Sequence, residues 1–197
     1  MTGVRLCIGA LVMAAAAVPA AAQTGGAGFD GLSFVEALRT ADTGKALGLL
    51  KARPTLVNAR DSKGDTALIV AISERNDTWT PHLLRSGANP NLASTRNGDT
   101  PLIAAVRAGY SDAVEWLIGL NAKVDAANRM GETPLIIAVQ QRNREAVARL
   151  LEAGANPDKA DSAAGYSARD YARRDARSRE ILRLIENHKP PATAPKP

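Results

Sequence analysis

Residues 131–139 read GETPLIIAV, and close copies of this stretch stand at regular intervals along the chain. GDTPLIAAV occupies residues 98–106, and GDTALIVAI occupies residues 64–72. A weaker copy, GYSARDYA, follows at residues 165–172, so the spacing between successive copies is constant to within one residue. A constant period of this length is typical of a solenoid, in which each unit buries its apolar face only by stacking on its neighbours. The repeat therefore predicts a stacked architecture.

Each copy combines a turn with the start of a helix. The glycine that opens the copy suits a turn because glycine adopts a positive φ angle at little steric cost. The threonine two positions later suits a helix N-cap, and a proline directly after it fits the first helical position, where a missing N–H is harmless. These residues are Gly64, Gly98 and Gly131, then Thr66, Thr100 and Thr133, then Pro101 and Pro134. The short Ala-rich apolar runs that follow are typical of an inner helix packed between neighbours.

A second shared feature ends each unit. A pair of large apolar residues is followed by glycine or asparagine, the residues that best tolerate the left-handed conformation of a helix C-cap. The three instances are Leu83, Leu84 and Gly87, then Leu117, Ile118 and Asn121, then Leu150, Leu151 and Gly154. We therefore expect a second helix to end at the same place in every unit.

The combined pattern, G-x-T-P-L-x-x-A followed by L-L-x-x-G-A-x-x-N, resembles the ankyrin repeat over about residues 33–188. The resemblance implies an all-α solenoid of helix-turn-helix units with projecting β-turn fingers. Three full repeats occupy residues 61–93, 94–126 and 127–159, between an N-terminal cap at 32–60 and a C-terminal cap at 160–189. The chain departs from the family at the histidine that usually follows T-P-L, so we expect apolar packing there instead of hydrogen bonds. Isoleucine takes its place at Ile69, Ile103 and Ile136.

Several local features lead to further predictions. Ser33 and Glu36 have the spacing of a capping box, which predicts the start of the first helix at Ser33. In the first full repeat, Thr80 and Pro81 predict an N-cap and a first helical residue. We expect Trp79 to lie in the core, because large aromatic side chains are mostly buried. Trp116 stands at a position that is usually leucine in ankyrin repeats, so the resemblance implies that it lies in the core too. The composition, 45% hydrophobic but only 4% aromatic, predicts that the rest of the core consists of Ala, Leu, Ile and Val.

The two ends of the chain have a different character from the repeats. Residues 1–22 combine the basic Arg5, an apolar run and a small-residue cleavage site, which predicts a signal peptide removed after Ala22. The Ala- and Arg-rich composition indicates a bacterial source, so we expect a periplasmic product, with secretion as the alternative. The only cysteine, Cys7, would be lost with the signal. Residues 23–31 are predicted to be a flexible linker and residues 190–197 a disordered Pro-rich tail.

The sequence lacks the motifs of a catalytic or metal site. His82 and His188 are the only histidines, and neither has a partner at metal-ligand spacing, so we expect no metal and no cofactor. Basic and acidic residues alternate, which argues against a nucleic-acid partner although the formal net charge is +5. Asp65, Asp99 and Glu132 share one turn position and are predicted to form a ladder along the surface, which suits recognition better than acid–base chemistry.

The resemblance implies that the finger tips and the exposed side of each first helix line a concave groove that binds a folded protein. The predicted partner-binding residues are Lys63, Asp65, Glu74, Arg96, Asn97, Asp99, Arg107, Arg129, Met130, Glu132, Gln140 and Gln141. We expect a non-enzymatic interaction protein that is monomeric when unbound. The alternatives are a secreted effector or inhibitor of a foreign protein, an enzyme or ligand-binding protein that uses groove carboxylates, and binding of an anionic partner by the arginines of the C-terminal cap.

Overall fold

The computed structural model describes residues 27–188. Within this range the chain forms α-helices and two short 3-10 helices, and its only strand-like features are the isolated bridges Arg60–Thr66 and Ala160–Ser167. The α-helices are α1 (Ala27–Arg39), α2 (Thr43–Ala52), α3 (Ala67–Ser73), α4 (Trp79–Arg85), α5 (Pro101–Ala108), α6 (Ser111–Gly119), α7 (Pro134–Gln140), α8 (Arg144–Glu152), α9 (Ala168–Arg174) and α10 (Arg179–Asn187). The 3-10 helices are Pro54–Asn58 and Ala176–Ser178. The all-α prediction is confirmed.

The helices stack in two layers. The first helix of each unit contacts the first helix of the next unit, in the order α1, α3, α5, α7 and α9, and the second helices α4, α6, α8 and α10 form the other layer. The inner helices α3, α5 and α7 are almost wholly buried, and the isoleucines that replace the usual histidine have exposed fractions of 4%, 0% and 0%. The apolar packing expected at Ile69, Ile103 and Ile136 is therefore confirmed.

The predicted caps have the expected geometry. Thr66, Thr100 and Thr133 each accept a hydrogen bond from the backbone N–H three residues on, at 3.1, 3.2 and 3.2 Å. At the other end of the unit, Asn121 has a φ of 57°, in the same left-handed region as the glycines at the equivalent positions. The three threonines are therefore helix N-caps, and Asn121 adopts the left-handed C-cap conformation, as their side-chain chemistry predicts.

The start of the first helix differs from the prediction. Helix α1 begins at Ala27, so Ser33 lies within the helix and is not its N-cap. Asp30 in the first turn pairs with Arg53 at 2.6 Å, and Phe34 further along is fully buried. These contacts stabilise an additional turn before the capping-box pattern. The predicted linker therefore ends inside a helix, whereas the predicted signal peptide and Pro-rich tail lie outside the described residues.

Helix α4 also starts earlier than predicted. Asn76 accepts hydrogen bonds from the backbone N–H groups of Thr78 and Trp79, at 3.1 and 2.9 Å, and the helix begins at Trp79. Pro81 is then the third helical residue, where an N–H has no intrahelical acceptor, so proline is still tolerated. Trp79 is buried as predicted, but Trp116 is only partly buried and lies at the surface of α6. Its assignment to the core was wrong.

The spacing of the sequence copies alternates between two values that differ by one residue, and this alternation has its origin in the fingers. In the short fingers, residues 61–65 and 128–132, the first residue donates its backbone N–H to the carbonyl of the fourth residue on. The pairs are Asp61 with Asp65 and Asn128 with Glu132. In the long fingers, residues 94–99 and 161–166, the backbone N–H of Ser94 and that of Asp161 donate to the carbonyl of the fifth residue on. One extra residue is thus accommodated in the turn, and the helices keep the same register. None of the helices within residues 27–188 has the length and apolarity needed to cross a membrane.

Candidate binding surface

The fingers are joined to one another by backbone hydrogen bonds. The N–H of Thr95 donates to the carbonyl of Gly64 at 3.0 Å, and Arg129 N–H donates to Asn97 at 2.9 Å. Ser162 N–H then donates to Met130 at 2.9 Å. One bond at each junction makes a continuous ladder of turns. The side chains that project from this ladder are therefore held in fixed positions relative to one another.

The predicted surface ladder of acids is buried between the fingers. Asp65, Asp99 and Glu132 have exposed fractions of 6%, 7% and 8%. Asp65 accepts hydrogen bonds from the hydroxyl of Ser94 at 2.6 Å and from the guanidinium of Arg96 at 2.9 Å, both on the next finger. A carboxylate covered in this way joins two repeats. The predicted surface position of all three acids was wrong, because each is covered by groups of neighbouring fingers and helices.

Asn128 is the centre of the next junction. Its amide donates to Asp99 at 3.0 Å and to Glu132 at 2.8 Å, and its oxygen accepts the backbone N–H groups of Met130 and Glu132 at 2.9 and 3.0 Å. Arg107, in the last turn of α5, pairs with the same two acids at 3.2 and 2.7 Å. Its guanidinium is half-exposed but already has two carboxylate partners.

The last finger is held by a pair of side chains within the C-terminal unit. Asp161 is buried and accepts hydrogen bonds from the hydroxyl of Tyr171 at 2.6 Å and from the N–H groups of Ala164 and Gly165. Burial alone would raise the pKa of Asp161, but these donors outweigh it and the pKa is lowered. The bond to the carboxylate raises the pKa of Tyr171. The charged form of Asp161 is thus an integral part of the C-terminal unit.

The remaining predicted partner-binding residues fall into two groups: three that bind other residues of the protein, and five that project into solvent. Asn97 is half-buried and bonds Asp99, while Arg96 is exposed but ion-paired to Asp65. Gln141 is exposed and donates to the carbonyl of Arg107 at 3.0 Å. The other five project into solvent without an ion pair among the described residues; we call these the finger surface. They are Lys63, Glu74, Arg129, Met130 and Gln140.

Met130 is the most distinctive member of the finger surface. It has an exposed fraction of 51% although it is apolar, and it stands at a finger tip beside Arg129. Arg129 reaches back to the carbonyl of Thr95 at 2.6 Å, which keeps its stem along the preceding finger. An exposed thioether next to a guanidinium can offer both apolar contact and hydrogen bonds to a partner.

Three side chains with structural contacts at the fingers were absent from the predictions. Asn128 joins two fingers, and Tyr171 binds Asp161 of the last finger within the C-terminal unit. Arg39 forms an ion pair with Asp61 at 2.6 Å. Arg39 and Arg107 stand in the last turn of their helices, each beside the finger that follows. The signal that could have identified Arg39 is its position, which corresponds to that of the predicted Arg107 in the middle repeat.

Residues 74–161 match the family model of ankyrin repeats, in three copies. This segment is similar to an array of ankyrin repeats. No curated protein matches the chain. Ankyrin repeats generally serve as protein–protein interaction modules and are typically non-enzymatic. Within residues 27–188 no group of three or more His, Cys, Asp or Glu side chains is placed to hold a metal ion.

The arginines of the C-terminal unit are largely engaged. Arg177 pairs with Asp175 at 3.3 Å, Arg173 lies 4.0 Å from Glu186, and the guanidinium of Arg174 stacks 4.4 Å from the centre of the Tyr166 ring. Arg179 and Arg183, however, are exposed and form no ion pair among residues 27–188, so the cluster is only partly neutralised and its binding of an anionic partner stays a prediction.

Proposed function

We propose that this protein binds a folded protein partner through the finger surface and performs no chemistry on it. The observation that carries the proposal is the contrast between paired and unpaired finger residues. Five charged residues of the predicted set form ion pairs that join the repeats, namely Asp65, Asp99, Glu132, Arg96 and Arg107. By contrast, Lys63, Glu74, Met130 and Gln140 are exposed and differ from one repeat to the next. A surface that varies on a fixed scaffold suits specific recognition.

The ladder of fingers supports this function energetically. Association is opposed by the loss of side-chain and backbone freedom, so a surface that is ordered before binding gives higher affinity for the same contacts. The backbone bonds between fingers and the buried carboxylates provide this order without any partner. Met130 is the expected anchor, because partly exposed apolar and guanidinium groups dominate protein interfaces.

The proposed location is the periplasm. It rests on the signal-peptide pattern of residues 1–22 and on the lack of any cysteine after Cys7, since a chain without thiols has no disulfide to form in an oxidising compartment. Fractionation of cells that express the full chain would separate this location from secretion into the medium. Recovery of the chain in the cytoplasm with residues 1–22 still attached would contradict both.

The experiment that tests the binding function is affinity capture with a variant confined to the finger surface. Arg129→Glu combined with Met130→Ser changes two exposed side chains and leaves the buried acids and Arg107 untouched. We expect this variant to lose a partner that the wild type captures from periplasmic extract, while its far-ultraviolet circular dichroism stays the same. Arg179→Glu, an exposed charge reversal on α10, is the matched control. Equal capture by both variants would contradict the proposed surface.

A further inference from the structure

An apolar groove lies on the side of the molecule formed by the second helices. It has a volume of about 410 Å³ between α4 and α6. Leu120 at its edge is 47% exposed, and Trp116 is only partly buried. We call it the outer groove, and it is lined by Pro81, Leu84, Arg85, Trp116, Gly119 and Leu120.

Comparison of the repeats shows that stacking does not require these apolar residues. The repeats share one scaffold, so a position that serves only the scaffold has similar residues in each. Three positions of α6 differ from their counterparts in α4 and α8, which are polar or small. Trp116 corresponds to His82 and Arg149, Gly119 to Arg85 and Glu152, and Leu120 to Ser86 and Ala153. These three residues are thus particular to the middle repeat.

The shape of the outer groove is fixed from within. The ring of Trp116 packs edge-on against the buried Tyr110, with ring centres 5.9 Å apart and an interplanar angle of 78°. Gly119 leaves the floor of the groove open, because a Cβ atom there would meet nothing within 4 Å. Glycine weakens a helix, and neither crowding nor a positive φ angle requires it at position 119. The effect that distinguishes Gly119 from other residues is therefore the open space that it leaves beside Trp116.

The charge at the rim identifies the chemistry of the occupant. Arg85 is exposed and pairs with no acid within residues 27–188, and a guanidinium binds a carboxylate in a two-pronged geometry. A separate, smaller groove of about 310 Å³ lies between α2 and α4, with the 43%-exposed Leu47 and another cation, Lys51. Both grooves therefore combine an apolar floor with a basic rim.

The same charge argues against two occupants that the chain itself could supply. Residues 189–197 contain two lysines and no acidic side chain, so none of their side chains complements Arg85. A second copy docked about a two-fold axis through this groove would bring the two Arg85 side chains towards each other, and like charges repel.

We propose that the outer groove is a second protein-docking site, which takes a partner segment that carries an apolar side chain next to a carboxylate. The apolar group packs on Trp116 and Leu120 over the open floor at Gly119, and the carboxylate pairs with Arg85. The site is separate from the finger surface and does not depend on the function proposed for it. The protein can then hold two partners at once.

The test is selection of random linear peptides displayed against the full chain. Enriched peptides should place an aliphatic or aromatic residue beside Asp or Glu. The critical variant combines Trp116→His, Gly119→Glu and Leu120→Ala, which gives α6 residues already present in its neighbours and should preserve the helical content. We expect it, and Arg85→Glu alone, to weaken binding of the enriched peptides by at least about tenfold. The finger variant Arg129→Glu with Met130→Ser should bind them as the wild type does.

Three results would overturn the proposal. The first is enrichment of no peptide, or of peptides without an acidic residue. The second is binding that survives the α6 variant or that depends on Arg129 and Met130 instead. The third is a concentration-dependent dimer, measured by analytical ultracentrifugation, that the α6 variant abolishes, because a second copy would then be the occupant.

Discussion

At the residue scale, Asn128 shows how a single side chain holds two ankyrin repeats together. It is buried, it uses both hydrogens and its oxygen, and it bridges Asp99 in one repeat and Glu132 in its own. Loss of such a partner leaves buried donors and acceptors unsatisfied, which is more costly than the net value of the bonds themselves. Asn128 should therefore tolerate substitution poorly.

Asn128→Ala is expected to lower the free energy of unfolding by about 2–3 kcal/mol, measured by urea denaturation. Asn156→Ala is the control, because Asn156 is exposed and its side chain accepts one bond, from Asp158 N–H at 2.9 Å. The control should change the free energy of unfolding by less than about 0.5 kcal/mol. Similar losses in the two variants would show that the buried network does not stabilise the stack.

Gly131 and Gly165 allow steric crowding to be separated from backbone conformation. Both have positive φ angles, 79° and 72°. A Cβ on Gly131 would lie 2.5 Å from the hydroxyl oxygen of Ser162 and closer still to its backbone nitrogen, whereas a Cβ on Gly165 would meet nothing within 4 Å. Both glycines are therefore constrained by a positive φ angle, and Gly131 is also constrained by the close approach of Ser162.

Gly165→Ala should lower the free energy of unfolding by roughly 1–2 kcal/mol, from the left-handed backbone alone. Gly131→Ala should lower it by at least about 1 kcal/mol more, because the added methyl group displaces the next finger. Urea denaturation of both variants measures the difference. If Gly165→Ala were equally or more destabilising, the close approach of the fingers would be contradicted.

At the scale of the element, the N-caps of the inner helices should each contribute to stability. Thr100→Ala and Thr133→Ala remove one capping bond each and should lower the free energy of unfolding by about 1 kcal/mol. Ser62→Ala changes an exposed finger residue that caps no helix and should have little effect. Thermal unfolding followed by circular dichroism compares the three. No drop in either threonine variant would mean that stacking alone fixes the helix starts.

The C-terminal unit should be sensitive to acid. Hydrogen bonds from Arg169 lower the pKa of Asp158, and donors that outweigh burial lower that of Asp161. A carboxyl whose pKa is lower in the folded state stabilises the fold above its unfolded pKa of about 4, and this stabilisation is lost as the pH falls towards the folded value. The contribution is therefore complete at neutral pH and decreases in acid.

Asp161→Asn tests this dependence because an amide keeps the shape of the carboxylate but does not titrate. The wild type should be more stable than the variant at neutral pH, and the difference should shrink as the pH is lowered from about 6 to about 3. Urea midpoints measured across this range give the comparison. A difference that stays constant with pH would contradict the role assigned to the charged form of Asp161.

At the scale of the whole molecule, the repeat period was sufficient to predict the fold. Glycine turns, threonine caps and the left-handed conformation of Asn121 each depend on a few neighbouring residues. Such local features can therefore be predicted from the sequence. The burial of Asp65, Asp99 and Glu132 was not predictable in the same way. It arises from contacts with neighbouring repeats, which are distant along the chain, and the period shows only that the three positions are equivalent.

The binding surface was partly predictable for the same reason. Lys63, Arg129 and Met130 project from finger tips, whose exposure follows from the turn itself. The outer groove was not predicted, because Trp116 stands at a position that is usually leucine in ankyrin repeats and was therefore expected in the core. Comparison with His82 and Arg149, its counterparts in the neighbouring repeats, would have shown that the scaffold does not need a tryptophan there.

The most direct test of the central claim is site-specific photo-crosslinking of the full chain in its native compartment. A photoreactive phenylalanine at position 130 lies on the finger surface, and the same residue at exposed position 152 lies on the outer helix α8, away from both proposed sites. We predict a discrete cross-linked protein from position 130 and none from position 152. Cross-linking of the same partner from position 152, with none from position 130, would contradict the claim that the finger surface binds the partner.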